Sequence, residues 1–238
     1  MGSLADVKAD LGALANPERA EFTAPYFGIV PGGYGEGDVL LGIPVPEQRK
    51  VARRHRDLPL ADCERLLASE IHEHRFVALA IMQLRFERGD EAERERIADL
   101  YLANRDRVNN WDLVDASARY LLVDRVRRAP RKLLDPLLRS RSVWDRRIAV
   151  LATFPLIRAD EFAETLRCCE ALLGDEHDLI HKATGWMLRE VGKRDEAVLR
   201  GFLDEHAAVM PRTMLRYSIE RLPAADRKRY MGAAAAKR

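Results

Sequence analysis

Apolar residues recur at helical spacing along almost the whole chain, and no stretch of strand length alternates apolar with polar residues. Phe76, Leu79, Ala80, Ile81 and Leu84 form one stripe. Leu133, Leu134, Leu137 and Leu138 form a second, Ile148, Leu151 and Ala152 a third, and Ile180, Ala183, Met187 and Val191 a fourth. Pro17, Pro46, Pro59, Pro130, Pro155, Pro211 and Pro223 fall between these segments, where a boundary or first-turn proline is tolerated. Gly89, Gly174 and Gly192 are placed as helix ends. The pattern predicts an all-α chain of about a dozen helices, each roughly 10–17 residues, joined by short links.

Short links between helices of similar length favour antiparallel neighbours. Trp111, Trp144 and Trp186 recur 33 and 42 residues apart, an interval that matches one helix pair of a helical-repeat array. The 238 residues are therefore expected to form one continuous array of about six pairs, a single domain over 1–238, with a compact bundle as the alternative. At 47% hydrophobic residues the chain can build a core. No apolar run approaches the roughly 18 residues of a membrane helix, and Met1–Asp6 lacks a signal-peptide pattern. Three cysteines, two of them adjacent, make no disulfide framework. A soluble cytoplasmic protein is expected.

The net charge of +2 conceals an asymmetry. Residues 1–119 carry 16 Lys and Arg against 21 Asp and Glu, whereas residues 120–238 carry 24 against 17. A basic half beside an acidic half points towards an anionic partner, although charged helix faces are commonly just solvated. One segment breaks the helical pattern: Pro31–Asp38, PGGYGEGD, is glycine-rich and acidic. It lacks the Lys-Ser/Thr of a phosphate-binding P-loop and is expected to be an ordered loop with glycines at positive φ. The tail Gly232–Arg238 is expected to fray.

Three constellations can carry chemistry. In Asn109–Ser117, either asparagine can cap the following helix. Leu113, Val114, Ser117, Tyr120 and Leu121 share one side, and Trp111, Asp115 and Arg119 share the other. The plain alternative is an Asp115–Arg119 surface pair with Trp111 packed on the next repeat. In His177–Glu190, Lys182, Trp186, Arg189 and Lys193 line the face opposite the core stripe. Cations around an aromatic suit a sugar–phosphate backbone, and the alternative is Trp186 buried between repeats. In Trp144-Asp145-Arg146-Arg147, an arginine at a helix start can clamp a phosphate, and periodicity leaves open whether Arg146 or Arg147 does so.

His177 and His181 superficially resemble a metal pair, but without an HExxH glutamate or a third ligand a helix cap at His177 or Asp178 is the better reading, and no metal is expected. His72 and His74 cannot face one another on a helix. Cys168-Cys169 reads as packing, and no serine-hydrolase elbow is present.

NNWDLVDxSA, VWDRRIAVLATF and HDLIHKATGWMLREVGK, in this order and spacing, resemble the AlkD-type DNA alkylation-repair glycosylases. Asn16–Glu21 with Tyr26, and Leu41–Pro46 followed by Arg49, support the resemblance, which runs from about residue 8 to residue 230. It implies a right-handed superhelix of HEAT-like helix pairs whose concave basic face holds duplex DNA. It further implies hydrolysis of the N-glycosidic bond of positively charged N-alkylated purines such as 3-methyladenine and 7-methylguanine, without a base-flipping pocket and without a cofactor. Position by position, Asp115 matches the catalytic aspartate. Trp111 and Trp186 match tryptophans packed against the lesion's deoxyribose. Arg147 matches an arginine on the backbone, and Tyr26 a further aromatic of the site. Such arrays usually act as monomers. Relatives carry a tryptophan where Asn110 stands, and the 31–38 loop looks like an insertion. The competing reading is a non-catalytic HEAT-like DNA-binding protein preferring distorted or branched duplex, with a protein–protein adaptor third.

Overall fold

A computed structural model describes residues 2–233. Among them it contains sixteen α-helices and two short 3-10 turns, and no strand, only an isolated bridge between Val39 and Ile71. The residues group into two compact units that meet in sequence at Leu121 and Leu122.

The first unit holds α1 (Leu4–Gly12), α2 (Pro17–Thr23), a 3-10 turn (Ala24–Phe27), α3 (Val45–Arg54), α4 (Leu60–Leu67), α5 (His72–Arg88), α6 (Glu91–Ala103) and α7 (Trp111–Leu121). Local chemistry sets the helix starts. Ser3 and Asp6 form a capping box, Asn16 caps α2 with Pro17 in its first turn, and Asp90 caps α6. Helix α5 packs against α1, α3, α4, α6 and α7. From His72 to Met82 it is buried on every side, so what reads in sequence as a stripe is a central helix.

The second unit holds α8 (Val123–Arg128), α9 (Pro130–Leu138), α10 (Val143–Ala152), α11 (Phe154–Ile157), α12 (Ala163–Ala171), α13 (Asp178–Arg194), α14 (Glu196–His206), α15 (Arg212–Ser218) and α16 (Ala224–Ala233). The helices outnumber the expected dozen because some periodic runs are interrupted. One break falls at Thr153, where Pro155 has no N–H for the carbonyl one turn back. Gly232 and Ala233 continue the last helix, and residues 234–238 of the expected frayed tail lie outside the described residues.

Helices pack on their sequence neighbours and on the next helix but one, as in a helical-repeat protein. In the first unit α3, α5 and α7 form one row. In the second, α10, α13 and α15 form another. Trp111 and Asp115 sit on α7, Arg146 and Arg147 on α10, and Lys182, Trp186, Arg189 and Lys193 on α13, so all are carried by row helices. Gly89 does end α5 and Gly174 lies in the turn after α12, but Gly192 lies inside α13. A Cβ there would stand 2.3 Å from Leu199 Cδ2. The need is close packing of α13 on α14, not a helix stop.

Cys168 and Cys169 are buried with their thiols pushed up by burial, Cys168 to about 12, in keeping with packing. No described helix is long and apolar enough to cross a membrane.

Candidate functional site

The first-unit site is built around the start of α7. Leu113, Val114, Ser117, Ala118 and Leu121 are buried, whereas Trp111, Asp115 and Arg119 are half-buried on the other side, as the spacing predicts; Tyr120, expected on the core side, is half-buried too. Asp115 therefore stands one helical turn beyond Trp111 on a solvent-accessible face. Asn110, fully buried, takes the cap position: its carbonyl accepts from Val114 N–H and its Oδ1 from Trp111 N–H at 2.9 Å.

Tyr26 comes to Trp111 from the 3-10 turn. The two rings meet edge to face at 5.2 Å, and Phe27 lies parallel to the Trp111 ring, 5.8 Å away and 7° off plane. Tyr26 is 67% exposed, and Phe22, one turn earlier on α2, is 84% exposed. Tyr26, Phe27 and Trp111 thus form an aromatic cluster at the start of Asp115's helix, and Phe27 is the member that spacing does not reveal.

Beneath the aromatics lies a buried charged network that spacing could not reveal. His72 Nε2 is 2.8 Å from Asp112 Oδ2, and His72 Nδ1 is 3.6 Å from Asp38 Oδ2. Arg75 donates to Asp38, and Phe27 rests on the His72 ring at 5.1 Å. Burial opposes a charge on His72, but the carboxylates of Asp112 and Asp38 outweigh it and push its pKa up to about 9. Burial likewise opposes the charge on Asp38, and His72 and Arg75 more than compensate, holding its carboxyl below the usual range. Next to them, buried Glu73 accepts from the backbone N–H groups of Leu41, Gly42 and Ile43 at 2.9, 2.8 and 3.2 Å, and so pins the strap before α3. The sequence signal for this network was HEHR directly before a run apolar on all sides: charges at the head of a fully surrounded helix must be paired.

This chemistry fixes a pH dependence. A raised histidine pKa stabilises the fold fully below its unfolded value near 6.5, and the contribution is lost as pH rises through about 9. His74 acts oppositely. Burial, with Lys8 and Arg75 nearby, lowers it to about 4, so its contribution is lost as pH falls from 6.5 towards 4. Urea unfolding should show greatest stability near pH 6.5. The alkaline loss, on the order of 3 kcal/mol by pH 9, should be absent in His72→Gln. An equal alkaline loss in that variant refutes the assignment.

In the second unit the predicted cations are engaged with protein partners. Arg146 donates to Asp175 at 2.6 Å and to the carbonyls of Ser140 and Arg141. Arg147 is 4% exposed and donates to the Leu179 carbonyl at the start of α13 at 2.5 Å. Lys182 pairs with Asp178 at 2.7 Å, Lys193 with Glu190 at 2.5 Å, and Arg189 with Glu220. Trp186 is half-buried and its Nε1–H donates to Glu190 Oε1 at 3.0 Å, so Glu190, another residue missed in sequence, orients the indole. His177 caps α13 by accepting the Leu179 N–H, and His181 is bonded to the Asp175 carbonyl, which gives both histidines structural roles. Among the described residues no three His, Cys, Asp or Glu side chains are grouped to hold a metal ion.

The chain matches the family described as DNA alkylation repair enzyme over residues 7–222. Among solved structures it is similar to one titled "Predicted DNA alkylation repair enzyme from Enterococcus faecalis", with TM-score 0.70 at 19% identity, over 88% of this chain and 97% of that one. At that identity the likeness establishes a shared fold. No curated protein matches the chain.

Proposed function

The chain belongs to the DNA alkylation repair enzyme family, and from that premise we propose that it is a monofunctional DNA glycosylase releasing cationic N-alkylated purines, such as 3-methyladenine and 7-methylguanine, from duplex DNA. A role in DNA alkylation repair comes with the family; the glycosylase reaction and its substrates are the proposal. The observation that carries it is the solvent-accessible face of α7, where Asp115 follows Trp111 by one turn and Tyr26 stands edge-on to the indole.

The chemistry suits these groups. Alkylation places a positive charge on the purine. The C1′–N bond breaks with its electron pair passing to the base, which leaves neutral, and positive charge develops on the sugar, as in glycoside hydrolysis generally. The Asp115 carboxylate stabilises that charge and orients a water. The water oxygen bonds to C1′ and its proton passes to Asp115 or solvent. Trp111 offers an indole face to the cationic sugar, a contact of roughly 0.5–2 kcal/mol, and the family resemblance gives Trp186 the same role. Arg147 is the proposed backbone contact, with Arg146, Lys182, Arg189 and Lys193 adding positive charge. Each has a protein partner, so a phosphate must share or displace it. The mechanism assigns no lysine nucleophile, so no strand cleavage accompanies base release. The protein acts as a monomer in this reading.

The test is base release from methylated duplex, followed by chromatography of the freed bases. Release of 7-methylguanine and 3-methyladenine is expected, with abasic strands that stay intact until heated in alkali. Duplex affinity should fall steeply between about 50 and 200 mM salt. Salt-sensitive binding without release would favour the non-catalytic DNA-binding reading instead. Binding indifferent to salt would overturn both.

A further inference from the structure

We infer that the glycine-rich segment Gly28–Asp38 is a clamp that orients the Trp111 indole, with Asn110, Phe27 and Asp38 as its positioning residues. The inference rests on the proposed glycosylase site, and it gives the segment a task within that site.

Every immediate neighbour of Trp111 in sequence is fastened to this segment, to Phe27 just before it, or to the charged base beneath it. Asn109 Nδ2 reaches Asp38 Oδ1 at 3.4 Å. Asn110 Nδ2 donates to the Phe27 carbonyl at 2.9 Å. Asp112 is bonded to His72, which also faces Asp38. The Phe27 and Tyr26 rings then close on the indole, one parallel and one edge-on. The backbone around Trp111 and the ring itself are thus held by contacts to the Tyr26–Phe27 turn, Asp38 and His72, the groups at the two ends of the segment.

The segment is shaped for that task. Gly28 adopts φ +66°, which reverses the chain after Phe27, and the loop folds back so that Gly35 N–H donates to the Gly28 carbonyl at 3.0 Å. Tyr34 Oη donates to the Tyr26 carbonyl at 3.3 Å. A Cβ on Gly33 would stand 2.1 Å from the Gly28 carbonyl oxygen, so only glycine lets the two backbones meet this closely. The far end is tied to the fold: the Asp38 side chain, 8% exposed, is set against Arg75 and His72, and Val39 pairs through its backbone with Glu70 and His72. One end of the segment grips the Tyr26–Phe27 turn, and the other is anchored to the head of α5.

Solution NMR of the full chain resolves this through the indole N–H signals of its three tryptophans, with Trp111 assigned by a Trp111→Phe variant. Gly33→Ala lifts the loop at the surface, and Asp38→Asn weakens the buried anchor. In both, the Trp111 signal should shift or broaden while those of Trp144 and Trp186 stay in place. Single-turnover base release should fall by up to ~100-fold, the cost of misplacing a reacting-site group by about 1 Å, with half-saturating duplex concentration within about twofold. An unmoved Trp111 signal and an unchanged rate in correctly folded variants overturn the inference. So does a lowered melting temperature as the only effect, which is what a purely structural loop would give. If Asp38→Asn fails to fold, Gly33→Ala decides by the same readings. If the wild type releases no base, the glycosylase reading falls while the Trp111 signal still decides the clamp.

Discussion

Asp115→Asn is expected to lower 7-methylguanine release from methylated duplex by at least ~100-fold, the usual cost of removing one preorganised electrostatic contact at a developing charge. The substitution keeps the shape of the side chain and removes its negative charge. Asp115 is half-buried on the side of α7 away from the core, so the apolar packing of Leu113, Val114, Ser117 and Leu121 is untouched. Melting temperature should therefore stay within a few degrees of the wild type, and duplex affinity should persist, because binding draws on cations elsewhere. The loss should appear in the rate of the bound complex. Undiminished release by the variant would remove Asp115 from the reaction.

Gly185→Val should have the largest effect on stability. Gly185 lies in the middle of α13, and a Cβ there would stand 2.6 Å from both the Met214 carbonyl oxygen and Tyr217 Cβ on α15. The obstacle is backbone on one side, so no rotamer change makes room, and α15 must move away. Overpacking of this kind costs about 3 kcal/mol, roughly 10 °C in the melting temperature at this chain length. The strain falls next to Trp186, whose indole is held by Glu190 on the same helix, so base release should fall with stability. Gly185→Ala should show the same direction at smaller size. Thermal unfolding by circular dichroism measures both, and a valine variant as stable as the wild type would show that α13 and α15 have freedom to separate.

Much of the candidate site was legible before the structure. The two faces of α7 followed from residues three and four apart, and Trp111, Asp115 and Arg119 emerged on the accessible side. A cap at His177 or Asp178 follows from their place before an apolar period, and the structure gives it to His177. The loop at 31–38 was expected to be ordered with glycines at positive φ, and Gly32 and Gly37 have φ of +72° and +90°. Its purpose was not legible. In sequence Asn110 reads only as a cap and as a departure from the relatives' tryptophan; in the structure it is also the donor that fastens Phe27. The cations of α13 fell at the expected register, but their engagement with Asp178, Glu190 and Glu220 required coordinates.

The sequence alone determined what depends on near neighbours: helix as the only regular element among the described residues, the starts of α7, α10 and α13, and the inward faces of α7 and α13. The 3.6-residue period and the capping groups act over a few residues, so the pattern is written locally. Tertiary structure decided which distant residues meet. Asp38 and Arg75, Phe27 and Trp111, and Gly185 and Met214 are separated by tens of residues, and nothing in spacing relates them. It also decided which charges are buried. Whether HEHR heads a surface helix or a central one depends on how many neighbours α5 has, a property of the packed chain and not of the four residues.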